Sequence, residues 1–199
     1  NEKGASVFRA IWDSLEVAVW ADEFKNANLP LQWPDESTLL EQMLKDSVVL
    51  FEDNIATPNI KETMADAVTK AIKKATPQLA QMEKEGTLAW GAYKDTRVNH
   101  LLKIPSLSRL HLPIGGGVHI INATTGNHGP SWRMVVHLVN GIEAYGVYPG
   151  GQNGNPGSKY FDTFIDSWAA GKYYRLLFLS KQAAQQNSQM KWRLTFTNS

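Results

Sequence analysis

The apolar positions of this chain follow two different periods, and the change falls near residue 86. Upstream, Phe8, Ile11, Trp12, Leu15, Val19 and Trp20 recur at steps of three and four. That spacing places them on one stripe of a helix running from Val7 to Phe24. Pro30 and Pro34 punctuate its exit. Asp35 is a capping residue for a second helix carrying Leu39, Leu40, Met43 and Leu44. Thr57-Pro58 combines a capping residue with a proline at the first helical position. The helix predicted behind it carries Ile60, Met64, Val68 and Ile72. Thr76-Pro77 repeats that start signal, and Gly86 suits a helix stop.

Downstream the pattern shortens towards the period of a strand. Val118 to Asn122 reads as one strand, Trp132 to Val139 as a second and Ile142 to Tyr148 as a third. Asn140-Gly141, between the last two, is the strongest short signal for a two-residue hairpin turn. Pro149 to Gly157 holds four glycines and two prolines, which makes it a loop. Ser158 caps a helix bearing Phe161, Phe164, Ile165 and Trp168, ended by Gly171, and Ser180 starts a short helix. At the end, Met190, Trp192, Leu194 and Phe196 alternate with Lys191, Arg193, Thr195 and Thr197, a strand with one dry and one wet face.

The fold class is therefore α+β: a helical N-terminal half followed by an antiparallel sheet. The organisation expected is a helical segment, 1–86, and a β-rich segment, 87–199, with a helix near 158–170. Neither looks like a complete layered core, so the two together are expected to form one incomplete domain of a larger protein.

Composition narrows the partners. The 199 residues include 20 Lys plus Arg and 19 Asp plus Glu, a near balance that provides no attraction to nucleic acid or to an anionic membrane surface. No apolar run approaches the roughly 18 residues of a membrane-spanning helix. The opening residues, Asn1 to Ser6, lack the basic start and apolar stretch of a signal peptide, so a mature or truncated start is expected. The absence of cysteine excludes disulfides, thiolate metal sites and a Cys nucleophile. Seven tryptophans are many for this length and are expected mostly as buried anchors.

The chemistry-bearing residues point away from a site within the chain. The histidines are His100, His111, His119, His128 and His137, and none forms the i, i+4 pair with an intervening Glu that a helical zinc site needs. No metal and no cofactor are expected, and His137, between Val135 and Val139, reads as an edge histidine. Gly115-Gly116-Gly117 leads into a strand rather than a helix and lacks a following Lys-Ser/Thr, so it is a tight connection and not a phosphate loop. Asp162 and Asp166 share one helix face opposite Phe161, Phe164, Ile165 and Trp168, which makes them the solvated side. Ser131 has Gly129 before it but Arg133 where a nucleophile elbow needs a second glycine. Arg133 reads as a buried cation that pairs with an acid or with backbone carbonyls. No residue of the chain is assigned a catalytic role.

Three segments carry a resemblance: Gly129-Pro130-Ser131-Trp132-Arg133-Met134-Val135-Val136-His137-Leu138, the loop and its continuation Tyr148 to Tyr160, and Trp168-Ala169-Ala170-Gly171-Lys172-Tyr173. Together they resemble the C-terminal end of the penicillin acylase (penicillin amidase) family of N-terminal-nucleophile hydrolases. Trp90-Gly91-Ala92-Tyr93 looks like the family's Trp-Gly followed by a strand, and His119-Ile120-Ile121-Asn122-Ala123 resembles its step ahead of the Gly-x-Ser-x-Arg strand. The Pro149 to Pro156 loop is the most specific piece. His137 departs from the pattern, standing where the family commonly has an Asp.

The resemblance implies a secreted or periplasmic precursor that cuts itself into two chains. Its new N-terminal residue attacks a linear N-acyl amide with its own α-amino group as base, and an acyl-enzyme follows. It implies an α-β-β-α sandwich, to which this chain contributes a C-terminal structural part of the larger chain. Residue 1 here is Asn, which lacks a nucleophilic hydroxyl or thiol, so no catalytic residue carries over and the chain alone is expected to be inactive. The expected partners are the upstream chains of the same precursor, with self-association of the isolated chain. The contrasting expectation is a free-standing binding module, with Trp132, Tyr145 and Tyr148 lining a glycan or peptide groove.

Overall fold

The computed structural model describes residues 2–26, 32–45, 57–60, 62–139, 141–179, 181–191 and 196–197. They form two compact units, Asn1–Lys94 and Asp95–Ser199. The architecture is α+β, helices first and two small antiparallel sheets after.

The first unit is helical. Helix α1 spans Lys3–Asn26, α2 Glu36–Leu44, α3 Met64–Glu85 and α4 Trp90–Lys94. The stripe read from the sequence does turn one face of α1 inward: Leu15, Val19 and Trp20 are buried, with Ile11 and Trp12 half-buried beside them. Phe8 is the exception, exposed and stacked on Trp12 at 5.8 Å between ring centroids. Asp35 caps α2 as expected, accepting from the backbone N–H groups of Ser37 and Thr38 at 2.9 and 3.1 Å. These bonds stabilise the charged carboxylate. The Ser37 hydroxyl, which also donates to it, leads in holding its pKa below the ordinary value.

Helix α3 corrects two expectations. It begins at Met64, not behind Thr57-Pro58, because Thr63 and Asp66 close a capping box in which each side chain bonds the other's backbone N–H. Ile60 stays outside, exposed. Pro77 starts no new helix. It lies inside α3, which runs on to Gly86 in the left-handed conformation at φ 71°. The face that packs is also one residue over from the predicted one. Ala67, Ala71 and Ala75 are buried, Met64 and Val68 are at the margin, and Ile72 is exposed. Small side chains on α3 admit the bulky Trp20 and Val19 of α1 at close range, so volume complementarity outranks the hydrophobicity of the larger residues.

In the second unit, β1 (Thr96–Val98) pairs antiparallel with β2 (Arg109–Leu112), after a 3-10 turn at Pro105–Leu107. Strands β3 (Arg133–His137), β4 (Glu143–Val147) and β5 (Tyr174–Leu176) form a second antiparallel sheet in that order, so β3 and β5 are its edges among the described residues. The core gathers Leu112, Ile114, Val147, Ile165 and Trp168.

Three sequence expectations change here. Val118 to Asn122 is a run of turns and bends flanked by a bridge between Gly117 and Ala123. A two-residue turn at Asn140-Gly141 would pair His137 with Ala144, yet His137 pairs with Glu143. The register is one residue away and every side chain's partner changes with it; Asn140 lies outside the described residues. The helix predicted from Ser158 is short, α5 at Ile165–Ala169, because residues 156–164 are turns that bond back to the preceding loop. The last helix, α6, is Lys181–Gln186, and the residues of the predicted terminal strand, Trp192 to Thr195, lie outside the described residues, as does Ser180.

Candidate functional site

The chemistry-bearing residues of the second unit collect around Trp168. This indole is 1 % exposed and donates from Nε1 to the Pro130 carbonyl at 2.9 Å. Arg133, the first residue of β3, donates from Nη2 to the Trp168 carbonyl. Its guanidinium carbon lies 5.6 Å from the ring centroids of both Trp168 and Tyr173, within reach of a cation–π attraction. Among the described residues no carboxylate pairs with Arg133. Of the two partners anticipated for it, the backbone carbonyl is the one found. Gly129 explains the start of that motif: a Cβ there would stand 2.7 and 2.8 Å from two Trp168 ring atoms.

The loop after β4 is built by backbone approach. Gly150 has φ 104°, where only glycine is unstrained. A Cβ on Gly151 would lie 2.0 Å from the Tyr160 carbonyl oxygen. Gln152 N–H donates to Tyr160 O and Phe164 N–H to Gly150 O, each at 2.8 Å, so the loop is laid along the chain entering α5. Beside it, Arg109 bonds both Asp162 and Asp166, the latter at 2.6 Å. Asp166 is exposed on α5, but Asp162 is half-buried in the turns before the helix, so the two share no helix face; they are clamped by one cation, and that pairing suits a structural tie better than proton transfer. Asn99, His100, Arg109, Gly150 and Asp162 are among the residues around a groove of about 280 Å³ next to this clamp.

The remaining candidates are dispersed. Ser131 is exposed in the bend before β3, not at a strand-to-helix turn. His111 faces Asp95 at 2.7 Å, His100 Nδ1 accepts from the Leu102 N–H at 3.2 Å, and His137 is exposed at the end of edge strand β3. Among the described residues no group of three His, Asp or Glu is placed to hold a metal ion. Gly115 to Gly117 is a tight connection, with Gly116 at φ 96° and the Asn122 and Thr124 side chains both donating to the Gly115 carbonyl. Of the aromatic trio, Trp132 lines a groove with Arg133 and Tyr173. Tyr148 instead packs edge-on against Phe164, and Tyr145 bonds Glu143.

One group escaped the sequence reading. Lys94, closing α4, sits 5.4 Å from the Trp90 ring centroid, and burial pushes its pKa down to about 8. The Trp90–Lys94 spacing at i, i+4 was the available signal, but nothing local shows that this lysine is shielded.

Gly129–Arg133 and Trp168–Tyr173 are tied to each other by the Arg133 and Trp168 bonds, while Gly150–Tyr160 is closed on itself and on Phe164 at the entry to α5. The model of the family described as penicillin amidase matches residues 1–185. The chain belongs to the penicillin amidase family. That relationship is to amidase-type hydrolases, and it covers the helical unit as well as the motif-bearing one. No curated protein matches the chain. No helix among the described residues is long and apolar enough to cross a membrane.

Proposed function

We propose that this chain is a structural part of a penicillin amidase-type enzyme, inactive by itself. It supplies helices and strands to an α-β-β-α sandwich whose nucleophile lies elsewhere in the protein. The whole enzyme hydrolyses a linear N-acyl amide, with β-lactam side chains and acyl-homoserine lactones among the candidate substrates, in the periplasm or outside the cell. The observation that carries this reading is one face of the β3-β4-β5 sheet. Met134, Val136, Ala144, Gly146, Tyr174 and Leu176 share it through the strand register, and Tyr174 alone among them has a polar atom, a hydroxyl bonded to Ser167 at 3.0 Å. Met134 and Val136 are nonetheless 41 and 40 % exposed, on an edge strand. A sheet face that meets water in the finished protein carries polar side chains in alternation. A face this apolar fits one that packs on a second layer about 10 Å away. The partner is then another part of the same precursor, and the isolated chain self-associates through this face and edge.

The test is amidase activity on a chromogenic N-acyl anilide, for residues 1–199 alone and co-expressed with whatever coding sequence precedes them. Silence alone and turnover together are expected. Turnover by the isolated chain would overturn the assignment, as would an upstream sequence with no Ser, Thr or Cys at a self-cleavage point.

A further inference from the structure

The groove beside β3 has a volume of about 410 Å³ and is lined by Ile121, Asn122, Trp132, Arg133 and Tyr173, among others. Two of these residues bring buried polar atoms that have no hydrogen-bond partner among the described residues. Arg133 spends Nη2 on the Trp168 carbonyl, while its Nε is buried without an acceptor. Asn122 donates from Nδ2 to the Gly115 carbonyl at 3.2 Å, which fixes the orientation of its amide. Its Oδ1 is then the acceptor, buried and without a donor. Unmet buried donors and acceptors are rare in folded proteins because each has lost its water for nothing in return. The cation is held in place by Trp168 and Tyr173 rather than neutralised by an acid.

We infer that this groove is a binding site for a carboxylate that carries an N–H donor next to it. The carboxylate accepts from Arg133, for which a planar guanidinium is the matching partner. The adjacent N–H donates to Asn122 Oδ1, and Trp132, Tyr173 and Ile121 pack on the body of the ligand. Two sources share this chemistry: a free small acid with an amide or amine beside its carboxylate, and an Asp side chain with its own backbone N–H from another segment of the protein. The site requires no catalytic role for the chain and does not depend on the function proposed above.

The experiment is a titration of the full chain, followed by the indole N–H resonances of Trp132 and Trp168. The probes are N-acetylglycine, N-acetyl-aspartate N-methylamide, acetate and N-acetylglycinamide. Saturable shifts from the first two are expected, with acetate weaker because it has no N–H and N-acetylglycinamide silent because it has no charge. Tighter binding of N-acetylglycine assigns a free acid, and tighter binding of the aspartate derivative assigns a protein carboxylate. Arg133→Lys keeps the charge but loses the fork, and should weaken both acids by roughly tenfold. Asn122→Ala should remove the preference for N-acetylglycine over acetate, so the idea stays testable even if Arg133→Lys fails to fold. Absence of a saturable shift from any acid, or equal affinities in Arg133→Lys, would overturn it.

Discussion

Gly151→Ala tests whether the Pro149 to Gly157 loop is held by backbone approach. The added methyl would sit 2.0 Å from the Tyr160 carbonyl oxygen and 2.4 Å from that of Phe161. These are backbone atoms and cannot swing aside as a flexible side chain would. The loop must lift, which breaks the 2.8 Å bonds from Gln152 N–H to Tyr160 O and from Phe164 N–H to Gly150 O. Two such bonds are worth about 1 kcal/mol each, and overpacking by a methyl costs about 1–3 kcal/mol by itself. Lifting the loop relieves the overlap, so the two costs do not add in full, and the expected destabilisation is about 2–3 kcal/mol. At a urea slope of roughly 2 kcal/mol/M this lowers the midpoint by about 1 M. Gly154→Ala is the control, since a Cβ there meets nothing within 4 Å, and it should stay within about 0.5 kcal/mol of the parent. The assay is urea unfolding of both variants, read by fluorescence and by the Trp168 indole resonance. Equal midpoints for the two variants would refute the reasoning and mean the loop does not rest on the Tyr160 and Phe161 carbonyls.

Two further outcomes are expected. Pro77 lies inside α3 with no N–H to give to the carbonyl four residues back, so Pro77→Ala should raise stability by about 1–3 kcal/mol, checked by the urea midpoint. Lys94 has its pKa lowered by burial to about 8 from an ordinary 10.5, so below pH 8 the folded state carries the full penalty of a shielded ammonium. Between about pH 8 and 10.5 the unfolded chain binds more protons than the folded one, and stability rises with pH across that window. Lys94→Met should flatten that rise relative to the parent when midpoints are measured at pH 7 and pH 10.

Much of the local structure was legible along the chain because its causes are local. The α1 stripe, the Asp35 cap, the Gly86 stop and the strands on either side of Gly141 depend on periodicity and on the backbone preferences of single residues. The same holds for the three motifs, whose glycines announced tight geometry before the partners of that geometry were visible. What failed had competitors the sequence does not show. Thr63 outbid Thr57 as the start of α3 because Asp66 closes its box. Pro77 was absorbed because the turns before it are already buried through Ala71 and Ala75, and the helix runs on to Gly86. The hairpin register moved by one residue because a turn's local preference does not decide which residues of β3 and β4 meet. Charge followed the same rule. That Arg133 carries a cation is written in the chain, but its place between two aromatic rings, facing a groove without an acid, and the shielding of Lys94 arise only when distant segments meet and remove water from around them.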